Sequence, residues 1–188
     1  MDGSRRLSQA ISEGDGISLI AIVSDAAGAR AAEEAGAEGI ALERHAAGVR
    51  EATGLPLLSL SGDASDADAA LLVVEEVGEK LEPRHLDLHS RGLECVVDVR
   101  TEEEVEFALE RIEPEIFLIS PRAGDEDDDP LERVLELLPD LPAGKLAIAD
   151  VPGADREIVA ALERAGFDAV LVAAAAVAEL ARAEPPPV

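Results

Sequence analysis

The residues able to do chemistry in this chain are mostly carboxylates at the ends of short apolar runs. Glu43 follows Gly39–Leu42, Glu75 follows Ala70–Val74, Asp98 lies within Cys95–Val99, and Asp150 follows Leu146–Ala149. The loop Asp125–Asp129 adds a further acidic run. Converging carboxylates can bind a divalent cation such as magnesium, or exchange protons with a substrate if crowding raises one pKa. The plainer reading makes them solvated strand-end and loop charges, with Asp98 or Asp150 paired to Arg122 or Arg100. On that reading Asp125–Asp129 is a polar loop before a helix N-terminus, where negative charge is favourable. His85 and His89 share a face if Pro83–Ser90 is helical, and two such imidazoles can share a metal. No HExxH pattern or third ligand accompanies them, so they read as surface histidines. Cys95 is the only cysteine, which excludes an internal disulfide, and it reads as a small buried core residue. There is no Walker or Rossmann glycine loop and no nucleophile elbow. No cofactor and no metal is assigned.

A repeated phrase provides the elements that must hold these groups. A helical pattern ends in glycine, and a short apolar strand follows within a few residues. The glycines are Gly36, Gly54, Gly92, Gly144 and Gly166. Glycine there caps a helix in the left-handed conformation that other residues avoid. Eight strands are expected, at Ser18–Val23, Gly39–Leu42, Pro56–Leu60, Ala70–Val74, Cys95–Val99, Ile116–Ile119, Leu146–Ala149 and Ala169–Val172. Helices are expected at Asp25–Ala35, His45–Ala52, Pro83–Ser90, Glu102–Arg111, Pro130–Leu138, Arg156–Ala165 and Ala175–Arg182. Thr101 with Glu104 forms a capping box, and Asp129 before Pro130 is an N-cap with proline at the first helical position. Asp25 and Asp155 can cap likewise.

Helices alternating with buried strands imply parallel βαβ units. The fold class expected is α/β, a minimal single-domain (β/α)8 TIM barrel, with an open flavodoxin-like sheet as the alternative. Ordinary barrels of this class run to about 250 residues; this chain has 188. Ser61–Asp68 is too short for a proper helix, so the helix after strand three is reduced or missing and the loops are shortened. Residues 1–16 form an N-terminal segment with a possible short helix, Ser4–Ile11, at the barrel bottom. Residues 17–183 form the barrel, and 184–188, with Pro185–Pro187, a frayed tail.

Composition bounds the partners. Hydrophobic residues make up 47% and aromatics only 2%, so the core is built from Ala, Leu, Val and Ile. A net charge of −25, from 41 acids against 16 bases, argues against nucleic acid, whose phosphates need Lys and Arg, and against anionic membrane surfaces. The charge serves solubility. No signal peptide is visible and no apolar run approaches roughly 18 residues, so a cytoplasmic location is expected. The partner is an unknown small molecule or protein, and the chain is a monomer or a homodimer.

Several stretches carry a family likeness. GLECVVDV (Gly92–Val99) with the following TEEEVEFALE resembles strand five and its helix in indole-3-glycerol phosphate synthase. LERVLELLPDLPAGKLAIAD resembles that family's sixth helix and seventh strand. DREIVAALERAGFDAVLVAAAAV resembles its seventh helix and eighth strand, ISLIAIVS its first strand, and GLPLLSL its third. The resemblance runs over most of Ile17–Val177, without the family's N-terminal extension and long early loops. It implies a reaction that closes a ring onto a carbonyl carbon with loss of carbon dioxide and water. That chemistry needs an ammonium as proton donor, carboxylates, and a phosphate cradle, all at the C-terminal ends of strands.

Residue by residue, the inherited machinery is largely gone. The first-strand Glu and Lys of the family correspond to Ile22 and Ser24, and the key third-strand Lys to Leu60. An alkyl side chain neither donates a proton nor carries charge. The fifth-strand Glu becomes Asp98, one methylene shorter. On strand six Asn becomes Ser120 while Arg122 is kept. On strand seven Glu becomes Asp150, and the phosphate-binding Ser-Gly becomes Val151-Pro152, where proline removes an N–H donor. On strand eight Gly-Glu-Ser becomes Ala173-Ala174-Ala175. The only lysines are Lys80 and Lys145, and Lys145 begins strand seven, at the wrong end of the barrel. The reading drawn is a non-catalytic or functionally diverged barrel, with Asp98, Ser120, Arg122 and Asp150 as vestigial site residues. The alternatives are a lyase of the synthase type and a metal-dependent enzyme built on the acidic ring. A deep pocket lined by Asp98, Arg122 and Asp150 favours an enzyme; a mouth closed by Ile22, Leu60 and Val151 favours its absence.

Overall fold

The computed structural model describes residues 5–14, 16–62, 65–121 and 129–181. Eight parallel strands close on themselves in sequence order. They are β1 (Ser18–Val23), β2 (Gly39–Leu42), β3 (Leu57–Ser59), β4 (Ala69–Val73), β5 (Glu94–Val99), β6 (Ile116–Ile119), β7 (Leu146–Asp150) and β8 (Ala169–Ala173). The seam is the β1–β8 pair, registered from Ser18 against Ala169 to Ile22 against Ala173. The chain is thus a single-domain (β/α)8 barrel, and the open-sheet alternative fails at that seam.

Strand alternation divides the apolar residues into two sets. Ile20, Leu58, Leu71, Val96, Leu118, Ile148 and Leu171 fill the barrel interior. Ala21, Leu57, Leu72, Val97, Phe117, Ala149 and Val170 face the surrounding helices. Those helices are α2 (Ala26–Ala35), α3 (Val49–Ala52), α4 (Val74–Val77), α5 (Leu81–Ser90), α6 (Glu102–Arg111), α7 (Pro130–Leu137), α8 (Arg156–Ala165) and α9 (Val177–Leu180). Small contact residues, Ala29 and Ala32 on α2 and Ala108 on α6, let the helices sit close to the strands.

The caps act largely as expected. Asp25 accepts from the Gly28 N–H at 2.7 Å, and Asp129 from Leu131 at 2.9 Å. Thr101 accepts from Glu104 at 3.3 Å, but the return arm of that box goes to the Arg100 N–H, at 2.7 Å. Asp155 accepts from both Glu157 and Ile158, at 2.9 and 3.0 Å. Asp155→Ala leaves two N–H groups without that partner, and we expect a loss of about 1 kcal/mol, read as a lower denaturant midpoint at unchanged m. Gly36 and Gly166 end α2 and α8 with φ of 106° and 104°. Gly54 is not among the left-handed glycines; the chain leaves α3 through an extended Thr53.

Other boundaries differ from expectation. The helix expected from His45 begins only at Val49, because Gly48, at φ 79°, breaks the preceding turn. Val74 does not extend β4; it opens α4, and a 3-10 turn, Gly78–Lys80, leads into α5. A 3-10 turn over Ala174–Ala176 precedes α9. Among the described residues no helix separates β3 from β4.

Asp68, just before β4, ties the region around that gap together. It accepts from Arg6 at 3.0 Å and 3.2 Å, from Arg50 at 2.7 Å and from the Leu57 N–H at 2.9 Å. Arg50 also donates to the Thr53 and Leu55 carbonyls.

The helix α1 (Arg6–Ser12) closes the barrel bottom. The interior cluster it joins includes Ala41, Ala69 and Ala169, side chains too small to fill the barrel bottom themselves. Leu7, 0% exposed, and Ile11 complete the packing. Glu94 caps α1 from across the barrel, accepting the Leu7 and Ser8 N–H groups at 2.6 and 3.0 Å. Arg6 also donates to the Gly54 carbonyl, and Arg5 pairs with Glu115 at 2.8 Å. Among the described residues no helix is long and apolar enough to cross a membrane.

Candidate functional site

The C-terminal ends of β5, β6 and β7 bring three of the sequence-predicted residues into the barrel mouth. Asp98 shares inward parity with Val96, Ser120 with Leu118, and Asp150 with Ile148. Asp98 is 3% exposed and accepts a hydrogen bond from the Ser120 hydroxyl at 2.5 Å. The Ser120 N–H donates to the Val99 carbonyl at 3.3 Å, which seats the residue at the end of β6.

Arg100 is the cation of this cluster. It contacts Asp98 at 3.5 Å and Glu75 at 2.6 Å, and it opposes the charge of Asp150 as well. Arg122, the other partner considered, lies outside the described residues, as do 125–128 of the acidic loop. Glu43, Glu75 and Asp129 are exposed. Among the described residues no three His, Cys, Asp or Glu side chains are grouped to hold an ion, so the described part of the acidic ring does not form a metal centre.

Burial dominates the electrostatics. It pushes the Asp98 carboxyl up to about 6, helped by the neighbouring Asp150 and Glu104 and opposed by the Ser120 hydrogen bond and by Arg100. Burial raises Asp150 too, again against Arg100. A carboxyl so placed is able to hold or release a proton near neutral pH.

Ile22 and Leu60 form the apolar side of the mouth. Both are half-buried and pack, with Val73, on the interior cluster. Ser24 is exposed in the turn after β1. Val151 does not join Ile22 and Leu60 in closing the mouth. It is one residue past inward-facing Asp150, so alternation turns it outward, and it is 3% exposed within the helix-facing core. Ala173 is exposed at the end of β8.

Two clefts lie elsewhere. One, of about 200 Å³, sits by the gap after β3 and is lined by His45, Val49, Ser59 and Asp66 among others. The second, of about 540 Å³, lies at the bottom beside α1, with Arg5, Ser8 and Lys145. Neither includes Asp98 or Asp150. Lys145 thus stands at the end opposite the mouth. Arg100, one of the two partners considered for Asp98 and Asp150, stands directly after β5 at the rim.

No protein-family model matches the chain. It is similar to the indole-3-glycerol phosphate synthase of Geobacillus sp. (strain WCH70), 31% identical over 107 residues, which are 56% of this chain and 42% of that enzyme. The chain therefore matches less than half the length of this relative. Among solved structures it resembles thiamine phosphate pyrophosphorylase from Pyrococcus furiosus, with a TM-score of 0.68 at 17% identity over 88% of this chain and 94% of that one. It also resembles the N-acetylmannosamine-6-phosphate 2-epimerase of Clostridium perfringens, with a TM-score of 0.67 at 15% identity over 86% and 87%. At these identities the structural likeness establishes the barrel fold alone.

Proposed function

We propose that this protein is a functionally diverged barrel, related at a distance to indole-3-glycerol phosphate synthase, that does not carry out the ring-closing lyase reaction. The observation that carries this reading is the packing of Ile22 and Leu60 onto the interior apolar cluster. These are the positions where the resemblance calls for a carboxylate and an ammonium. A partly buried alkyl group there repels a charged intermediate and supplies no proton.

The phosphate end supports the same reading. The three relatives are all named for phosphorylated compounds. Here the corresponding turns are Val151-Pro152 and Ala173-Ala174-Ala175. Proline withholds an N–H, and no side chain in either stretch can bond a phosphate oxygen. Asp98, Ser120 and Asp150 remain as a polar patch in the mouth, serving a different small ligand or a protein partner without turnover.

The test is incubation with an aryl-amino deoxyribulose phosphate, followed by indole fluorescence of any product. The chain has no Trp, so the background is low. The expected result is no indole above the buffer control. Indole formation that disappears in Asp98→Ala would overturn the proposal and make this a reorganised lyase.

A further inference from the structure

We propose that His85 and His89 form a two-imidazole site on α5 for a borderline-soft divalent cation of the zinc, nickel and copper class. The two residues stand four apart in a regular ten-residue helix, Leu81–Ser90. That spacing stacks side chains one turn apart on a single face. His89 is exposed and His85 half-buried, so an ion reaches the pair directly from solvent.

Imidazole nitrogen is the donor these cations take in preference to the carboxylate oxygens that crowd this surface. No third protein ligand joins the pair among the described residues. Water completes the coordination, which makes this an open site of moderate affinity and not a closed structural one. The net charge of −25 raises the local concentration of cations around it.

The small number of nitrogen and sulfur donors makes the assignment sharp. The sequence holds three histidines and one cysteine. Burial pushes the Cys95 thiol up to about 12, and His45 lines the separate cleft beside α3. The pair lies on the outer helix layer, so this site stands or falls independently of what the barrel mouth does.

The experiment is titration of nickel ion into the full chain by calorimetry, near pH 7.5, paired with thermal unfolding. We expect one ion per chain and a rise in Tm with nickel. His85→Ala and His89→Ala should each weaken binding on the order of tenfold or more and abolish the Tm rise, while His45→Ala changes neither. Should His85→Ala disturb the helix packing, the exposed His89→Ala carries the same test alone. No uptake at millimolar nickel overturns the proposal. Binding that persists equally in both single variants also overturns it, by assigning the ion to surface carboxylates.

Discussion

Leu7→Ala lowers the unfolding free energy by about 2–5 kcal/mol, the range for removing a fully enclosed leucine from a core that cannot collapse around the gap. Leu7 is 0% exposed and belongs to the interior cluster of the barrel. The interior cluster it belongs to also holds Ala41, Ala69 and Ala169, short side chains that do little to fill a vacated space. Chemical denaturation measures the loss. Leu7→Met, which roughly conserves volume, should cost less than about 1.5 kcal/mol. A Leu7→Ala loss below about 1 kcal/mol would show that α1 only lies against the barrel and does not complete its core.

Asp98→Asn raises stability at pH 7.5 and leaves it nearly unchanged at pH 4. The Asp98 carboxyl sits at about 6 in the folded protein against 3.8 ordinarily. A folded-state pKa raised in this way means the fold favours the protonated form. That contribution is fully present below about pH 3.8 and is lost as the pH rises through about 6. At about 1.4 kcal/mol for each pH unit between the two values, the ionised carboxylate costs on the order of 3 kcal/mol. Asn is neutral at every pH and still offers an oxygen to the Ser120 hydroxyl. We expect a gain of about 1–3 kcal/mol at pH 7.5, with a flatter stability profile between pH 4 and 6. Asp150 and Asp168, also raised by burial, keep part of the slope. A variant no more stable than the parent at pH 7.5 would show that Arg100 and Ser120 already offset the burial of the charge.

The alternation of helix and strand was legible because each signal is local. Asp25, Thr101, Asp129 and Asp155 cap within three residues of themselves, and strand patterns need only a few apolar positions. The shortened helix after β2 was missed because a single glycine, Gly48, overrides an otherwise helical stretch. The bottom of the barrel was legible only as a possible short helix. What holds it comes from far along the chain: Asp68 for Arg6, Glu94 for the first turn, Glu115 for Arg5. No periodicity encodes such contacts. In the mouth, the strand-end placement of Asp98, Ser120 and Asp150 was readable, and strict alternation would have excluded Val151. Arg100 was readable as a candidate partner of Asp98, but its second contact, with Glu75 on α4, depends on how far a flexible side chain reaches, which spacing does not reveal.

The dependence of α1 on distant partners sets an order of events on a chain made from its N-terminus. The helix α1 leaves the ribosome before the elements that hold it, and it is among the last to be secured. Its cap, Glu94, arrives 87 residues after Leu7, and the ion-pair partner of Arg5 arrives 110 residues after it. The seam is later still, since β1 waits for Ala169–Ala173 before its second edge is covered. Until then a nascent chain carries an open strand edge and an unseated amphipathic helix, both available to a chaperone or to a neighbouring chain. Sequence-distant contacts of this kind slow folding. The net charge of −25 makes such incomplete chains repel one another during the interval when the barrel is not yet closed.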